Sequence, residues 1–294
     1  MKLAAVVVLY NPEELGIENI KNNIETYRKY CEHIYLVDNS ECPHENFIFN
    51  ATYIFNGNKG GLGGGQNRGV EKAAEDGYQW VMTMDQDSAF KSYSSFLSYK
   101  NEAEKIAGLN GDAVSFGPLI QNINKKEYVF KKIRRNVLSP LKKKILGVHY
   151  VSAAPRTEEK CRVIASGNII SVEAWRKVCG FDESLFISEV DYDLCYKFVR
   201  LGFKILRLNS HVLIQRAGEK VRFHILPKFL NQYTDTRFYY AVRNAFIMKK
   251  RYPEYKKFYA RYLKLLFWDY CINSAHFAKY VGIWKKAKKA ALEI

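Results

Sequence analysis

LAAVVVLY (residues 3–10) and WVMTMDQDS (residues 80–88) are the stretches on which the fold turns. The first is an unbroken apolar run rich in valine, the pattern of a strand buried on both faces. It stops at Asn11-Pro12-Glu13-Glu14 with no small-residue cleavage site, so it reads as a strand and not as a signal peptide. The second is a shorter apolar run that ends abruptly in acids. Between them, Ile17, Ile20, Ile24, Tyr27 and Cys31 recur at steps of three and four, which is one face of a helix. Residues 34–37 and 52–55 read as further strands, the first ending in Asp38-Asn39-Ser40. A glycine-rich turn follows, then a helix ending near Ala74. Past the second stretch come a helix near 93–107 and a strand at 113–116.

Strands alternating with helices predict βαβ units and a mainly parallel sheet. In such sheets a ligand lies beyond the carboxyl ends of the strands. Three polar clusters stand at those ends: Tyr10-Asn11, Asp38-Asn39-Ser40 and Asp85-Gln86-Asp87. Residues 124–160 are lysine- and arginine-rich with weak periodicity, and read as a loop or a flap. A helix starts near Ser171, a suitable N-cap. A second helix covers 191–200 and closes at Leu201-Gly202, where glycine suits a left-handed cap. Residues 203–208 read as a strand. Residues 231–294 are helical in pattern, interrupted at Tyr252-Pro253.

The chain has 294 residues, of which 48% are hydrophobic and 15% aromatic, enough to exclude a disordered or collagen-like chain. No apolar run approaches the roughly 20 residues that cross a bilayer. None of the six cysteines has CxxC spacing, so reduced thiols are expected and not a zinc site. The net charge is +16, but residues 219–294 alone carry 17 Lys/Arg against 5 Asp/Glu, and also 18 aromatics. Such a segment suits nucleic acid, an anionic membrane or a polyanionic substrate.

Six glycines lie within residues 58–69, NKGGLGGGQNRG. Glycine permits close backbone approach, and a helix start after it can hold an anion. No GK[ST] closes the run, so it is not a P-loop, and a plain surface turn is the competing reading. In Asp85-Gln86-Asp87 the two acids at i and i+2 can point to one side and share a divalent cation. A solvated loop cap is the alternative. Glu189, Asp191 and Asp193 cluster at a helix start. They either complement the helix dipole or include a general base.

In this order the motifs VVVLYNP (6–12), VDNS (37–40), NKGGLGGGQNRG (58–69), MDQDS (84–88), ASGNIIS (165–171), GFDESLFI (180–187) and VDYDLCYKFVRLGFKI (190–205) resemble glycosyltransferase family 2. The resemblance spans about residues 3–216, with a further piece, RFYYAVRN, at 237–244. It implies an α/β GT-A fold, a Rossmann-like mixed sheet flanked by helices, with a C-terminal helical segment. Its catalytic domain would be 1–218, with a nucleotide-sugar half (about 1–120) and an acceptor half (about 160–218), and 219–294 would form a basic helical region. The DQDS form and the late RFYYAVRN segment are most similar to bacterial rhamnosyltransferases of O-antigen and capsule synthesis.

By that resemblance Tyr10, Asn11 and Asp38 hold the base and ribose, Asn67 and Arg68 lie near the donor, and Asp85 and Gln86 contact the nucleotide. Asp87 binds Mg²⁺ or Mn²⁺ at the diphosphate, and Asp191 is the base of an inverting transfer. Two departures stand out. Val190 occupies the place of the first acid of the family's ED pair, with Glu189 one position away. Gln215 stands where a metal-binding histidine is usual, which weakens the expected metal site. His211 and His224 read as structural. The implied donor is dTDP-rhamnose, with a UDP-hexose or UDP-galactofuranose as the alternative. The implied acceptor is a glycan hydroxyl, on a polyprenyl diphosphate if the enzyme works at a membrane. The resemblance places the protein in the cytoplasm, at the inner face of the plasma membrane if peripheral. For the basic tail two readings stand side by side: an anionic membrane surface, or packing of its aromatics on the catalytic domain, with a homodimer contact open. A non-catalytic nucleic-acid-binding protein is the distant alternative, disfavoured because paired acids repel phosphate. No nucleic-acid partner is expected.

Overall fold

A computed structural model describes residues 1–44, 50–122, 155–216 and 233–294, with the backbone alone of 220–222 and 229–231. The expected loop or flap at 124–160 lies largely outside the described residues, as does His224. The first strands are β1 (Leu3–Leu9), β2 (His33–Asp38), β3 (Thr52–Phe55) and β4 (Trp80–Asp85). They pair in parallel in the order β3-β2-β1-β4. The connecting helices are α1 (Pro12–Leu15), α2 (Ile17–Arg28) and α3 (Gly61–Glu75).

Beyond β4 the sheet changes character. Added strands are β5 (Ser88–Phe90), β6 (Ala113–Asn122), β7 (Thr157–Lys160), β8 (Asn168–Ser171) and β9 (Lys204–Gln215). Strand β8 runs antiparallel to β4, β6 antiparallel to β8, and β9 parallel to β6, with β5 and β7 antiparallel to β9. The sheet is therefore mixed: β1 to β4 form one parallel block, and β6 with β9 is the other parallel pair. A short pair, β10 (Lys220–Arg222) and β11 (Phe229–Asn231), stands apart. The remaining helices are α4 (Tyr93–Leu109), α5 (Val172–Lys177), α6 (Val190–Arg200), α7 (Asp235–Arg251), α8 (Lys256–Leu266) and α9 (Phe277–Leu292).

β1 is buried throughout, and its alternate side chains serve two cores. Leu3, Ala5, Val7 and Leu9 join Ile20, Ile24 and Tyr27 of α2 and Phe96 of α4 on one face. Ala4 and Val6 face Val70 of α3 and the cluster that continues into α6 to α9 on the other. The period of two along the strand thus builds three layers.

The glycine run departs from the sequence reading. Residues 58–60 do form a turn, but the helix begins already at Gly61, so most of the glycines lie inside α3. Glycine is a poor helix former, so contacts must impose the helix. A Cβ on Gly69 would lie 2.3 Å from Val6 Cγ1, one on Gly64 2.0 Å from the Lys59 carbonyl, and one on Gly61 2.2 Å from the Phe186 carbonyl. The run lets α3 settle directly on β1 and on the loop before α6.

The C-terminal helices pack inward. Phe238, Val242 and Met248 of α7 and Tyr259 of α8 share one buried cluster with Val190, Tyr196 and Phe198 of α6. The helix break falls at Tyr252-Pro253 as expected, because proline cannot continue the hydrogen bonding. The buried Asp193 carboxylate is held by Arg251 Nη1 at 2.7 Å, the Tyr252 hydroxyl at 2.7 Å and Lys197 Nζ at 2.9 Å. Arg251 also reaches Asp182 Oδ2 at 2.6 Å.

Candidate active site

The strand order reverses between β1 and β4, and the crevice at their carboxyl ends is where an open α/β sheet binds ligands. Tyr10 follows β1 and is 50% exposed, a free aromatic face at the rim. Asp85 ends β4. The turn Ala165-Ser166-Gly167 crosses over it, fixed by Gly167 N donating to the Thr83 carbonyl (2.8 Å) and Thr83 Oγ1 donating to the Ala165 carbonyl (2.6 Å). Ser166 Oγ accepts from Asp85 N at 3.3 Å, and Ala165 N donates to Asp191 Oδ2 at 3.2 Å. Two neighbouring residues of one turn therefore hold the acid from β4 and the acid from the first turn of α6.

Pairing of β5 with β9 sets Gln215 opposite Ser88, beside Asp87. Gln215 Nε2 donates to Asp85 Oδ2 at 3.0 Å. The acids lie near enough for their charges to act on one another. Burial pushes the Asp85 carboxyl up to about 7, with the charges of Asp87 and Asp191 adding to the rise. Burial also raises Asp87 and Asp191. The opposing cation is Arg237, in the first turn of α7, whose charge favours the ionised form of all three acids. Glu189, the N-cap of α6, is almost fully buried and pushed up to about 7 by burial, while the Tyr259 hydroxyl donates to its Oε2 at 2.6 Å.

Phe186, Ser188 and Glu189 all have φ between 63° and 66°, a region that non-glycine residues rarely occupy. Such strain persists only where the surroundings over-determine it. Here Asn244 of α7 does so. Its side-chain amide, wholly buried, donates to the carbonyls of Leu185 (2.8 Å), Ile187 (2.9 Å) and Ser188 (2.8 Å). Tyr240 stacks on Phe186, and Arg243 donates to the Ser184 carbonyl.

Several expected ligand contacts have other occupations. Asp38 is wholly buried, with Oδ1 accepting from Ser40 N and Oδ2 from Tyr53 and His44, so its carboxylate anchors the end of β2. Asn67 donates to the Phe181 carbonyl and Glu183 Oε1 and accepts from Phe181 N, which ties α3 to the loop before α6. Gln86 places both amide ends, at 2.9 Å each, on the backbone of Tyr10, clamping β1 to the acidic turn. Arg68 is exposed on α3. Asn11 takes a left-handed conformation, its N–H donating to Ser40 Oγ. His211 pairs with Glu102 at 2.7 Å inside the fold, the structural role read from the sequence.

Among the described residues no group of three His, Cys, Asp or Glu forms a metal-holding cluster. Asp85 and Asp87 nevertheless suit a hard divalent cation: they are oxygen donors whose crowded charges a cation would relieve. Gln215 presents its side-chain N–H to Asp85 Oδ2. Sequence reading missed Arg237, Asn244 and Tyr259 as contributors. RFYYAVRN pointed to the right segment, but nothing in it distinguishes which residues face the acids.

No family model matches the chain. Among solved structures, residues 1–349 of S. aureus TarS align with 100% of this chain and 80% of their own, at TM-score 0.56 and 13% identity. GalNAc-T7 with UDP, GalNAc and Mn²⁺ aligns over 96% of this chain and 56% of its own, at TM-score 0.54 and 13% identity. These neighbours are GT-A glycosyltransferases, and this chain has their fold: a mixed sheet flanked by helices. Within that class the chain is similar to the dTDP-rhamnosyl transferase RfbF of Shigella flexneri, 27% identical over 261 residues, which are 84% of this chain and 79% of that protein.

Proposed function

We propose that this chain is an inverting glycosyltransferase of bacterial surface polysaccharide synthesis, transferring L-rhamnose from dTDP-rhamnose to a hydroxyl of a glycan acceptor. The observation that carries the reading is the meeting of Asp85, Asp87 and Asp191 around one turn at the switch point of the sheet. Similarity to RfbF favours the rhamnosyl donor. Residues 1–120 serve the nucleotide and 160–218 the acceptor. Tyr10 offers its exposed ring to the base.

Asp191 removes the proton of the acceptor hydroxyl as its oxygen attacks the anomeric carbon. The bond from that carbon to the diphosphate breaks, and the nucleoside diphosphate leaves with the electron pair. Burial raises Asp191 and so strengthens it as a base. Arg237 faces the acids and supplies positive charge where the leaving diphosphate gathers negative charge. Asp85 and Asp87 would hold Mg²⁺ or Mn²⁺, which when bound would neutralise the diphosphate. The chain acts in the cytoplasm, at the inner face of the plasma membrane where the acceptor is carried on a polyprenyl diphosphate.

A UDP-sugar donor is the second reading, favoured by the solved neighbour that holds UDP. Thermal unfolding with dTDP, UDP, GDP or CDP, each with and without Mn²⁺, separates the two, because a ligand of the native state raises stability by mass action. The largest shift is expected with dTDP. A folded Asp191→Asn protein is expected to keep that shift and lose transfer by on the order of a hundredfold or more. Near wild-type transfer by that variant would remove Asp191 from the role of base.

A further inference from the structure

The basic aromatic tail divides into two faces. Its inner face is the packing described above: Tyr259, Leu263 and Leu266 of α8 are buried, and Arg251 is taken up by Asp182 and Asp193. The outer face is different. Lys257, Phe258, Arg261, Lys264, Leu265 and Trp268 are all exposed, with Phe258 at 37%, Leu265 at 47% and Trp268 at 51%. At 3.6 residues per turn these six positions fall within an arc of about 120°, opposite the buried stripe. No Asp or Glu occurs from 255 to 268. Arg162, stacked 3.8 Å from the Phe258 ring, adds a further cation at the edge.

We infer that this outer stripe of α8 and the turn after it docks the protein on an anionic phospholipid surface. Three cations alternate with three large apolar side chains on one exposed strip. An interfacial helix uses that arrangement: aromatics and leucine enter the headgroup boundary while Lys and Arg meet lipid phosphates. No helix among the described residues is long and apolar enough to cross a membrane, so the contact is lateral. A second copy fits less well. A two-fold contact through this strip would set Lys257, Arg261 and Lys264 against themselves. Nucleic acid would meet the cations but leave Leu265 in water. The inference deepens the proposed location at the inner face of the plasma membrane, and it rests on the exposed stripe and not on the transfer chemistry.

The test is flotation of the full chain with phosphatidylcholine vesicles and with mixed phosphatidylcholine–phosphatidylglycerol vesicles, at low and high salt. Binding is expected to the mixed vesicles and to weaken with salt. Both Leu265→Ser with Trp268→Ser, and Lys257→Glu with Lys264→Glu, should reduce it by on the order of tenfold or more. All six positions are exposed, so the variants should keep the parent melting temperature and its nucleotide shift. That shift reports the glycosyltransferase reading, and flotation reports this one. Failure of the intact protein to bind mixed vesicles at low salt overturns the inference. So does binding that survives both double substitutions. A dimer lost on substitution, or DNA binding lost with the lysines but indifferent to Leu265→Ser, would assign the stripe to another partner and overturn it too.

Discussion

Asn244 and Tyr259 reach across from α7 and α8 to the segment that carries Asp191. Asn244 satisfies three carbonyls of a strained loop, and Tyr259 donates to Glu189 two residues before the acid. Removing a buried partner leaves the carbonyls unsatisfied, at about 1–3 kcal/mol. Asn244→Ala should therefore melt several degrees lower. Its transfer rate should fall while its nucleotide-induced thermal shift stays, because the damage is to the loop before α6 and not to the β1–β4 crevice. Glu189 makes a pH prediction. Its folded value, about 7, lies above its ordinary 4.5. A raised acid contributes stability that is complete below the unfolded value and lost as pH rises through the folded one. Wild-type stability should thus decline between about pH 4.5 and 7, and Glu189→Gln should show a shallower decline. Chemical denaturation across that range measures it, and parallel pH curves would contradict the burial argument.

At the scale of elements, α3 shows what sequence could and could not convey. Strands β1 to β4, β6 and the first half of β9 were legible because unbroken apolar runs have one solution in a covered sheet, whereas the short β5, β7 and β8 carry no such run. The turn in the glycine run was read as too long, because local propensity disfavours a helix from Gly61 on and only the contact with Val6, Lys59 and Phe186 explains it. Asn244 and Tyr259 were illegible for a related reason: as ordinary polar and aromatic helix residues they carry no local mark, and their partners lie some 60 to 70 residues away. Asp85, Asp87 and Asp191 were singled out by the ordered motifs, since acids at strand and helix ends taken singly serve equally as loop caps or dipole partners. Two alanine substitutions separate local from tertiary control of glycine. Gly69→Ala should cost about 1–3 kcal/mol by overpacking against Val6. Gly108→Ala, in α4 with open space around it, should gain about 0.5–1 kcal/mol. Urea denaturation of both reads the two signs.

Across the whole molecule, Arg251 ties the C-terminal helices to the fold by bridging Asp182 and the buried Asp193. Taking away one partner of a buried pair leaves an uncompensated charge. Arg251→Ala should cost up to about 3 kcal/mol, tempered because Lys197 and Tyr252 keep hold of Asp193. Its effect should reach the site as well, since the same helices carry Asn244 and Arg237. A melting curve and a transfer assay on one sample decide this. Loss of stability with unchanged transfer would mean that the two are not connected.

The reach of Asn244 back to residues 185–188 also has a consequence in time. A ribosome makes β1 to β4, with the crevice proposed to take the nucleotide, before the rest of the sheet. The segment around Asp191 follows, its turn held by Leu62 N on the Phe186 carbonyl, but the carbonyls of Leu185, Ile187 and Ser188 lack their Asn244 amide, and Glu189 lacks the Tyr259 hydroxyl, until those residues have been added. A nascent chain halted between residues 200 and 240 should therefore bind nucleotide before it can transfer a sugar, which keeps a half-made enzyme from acting on either substrate.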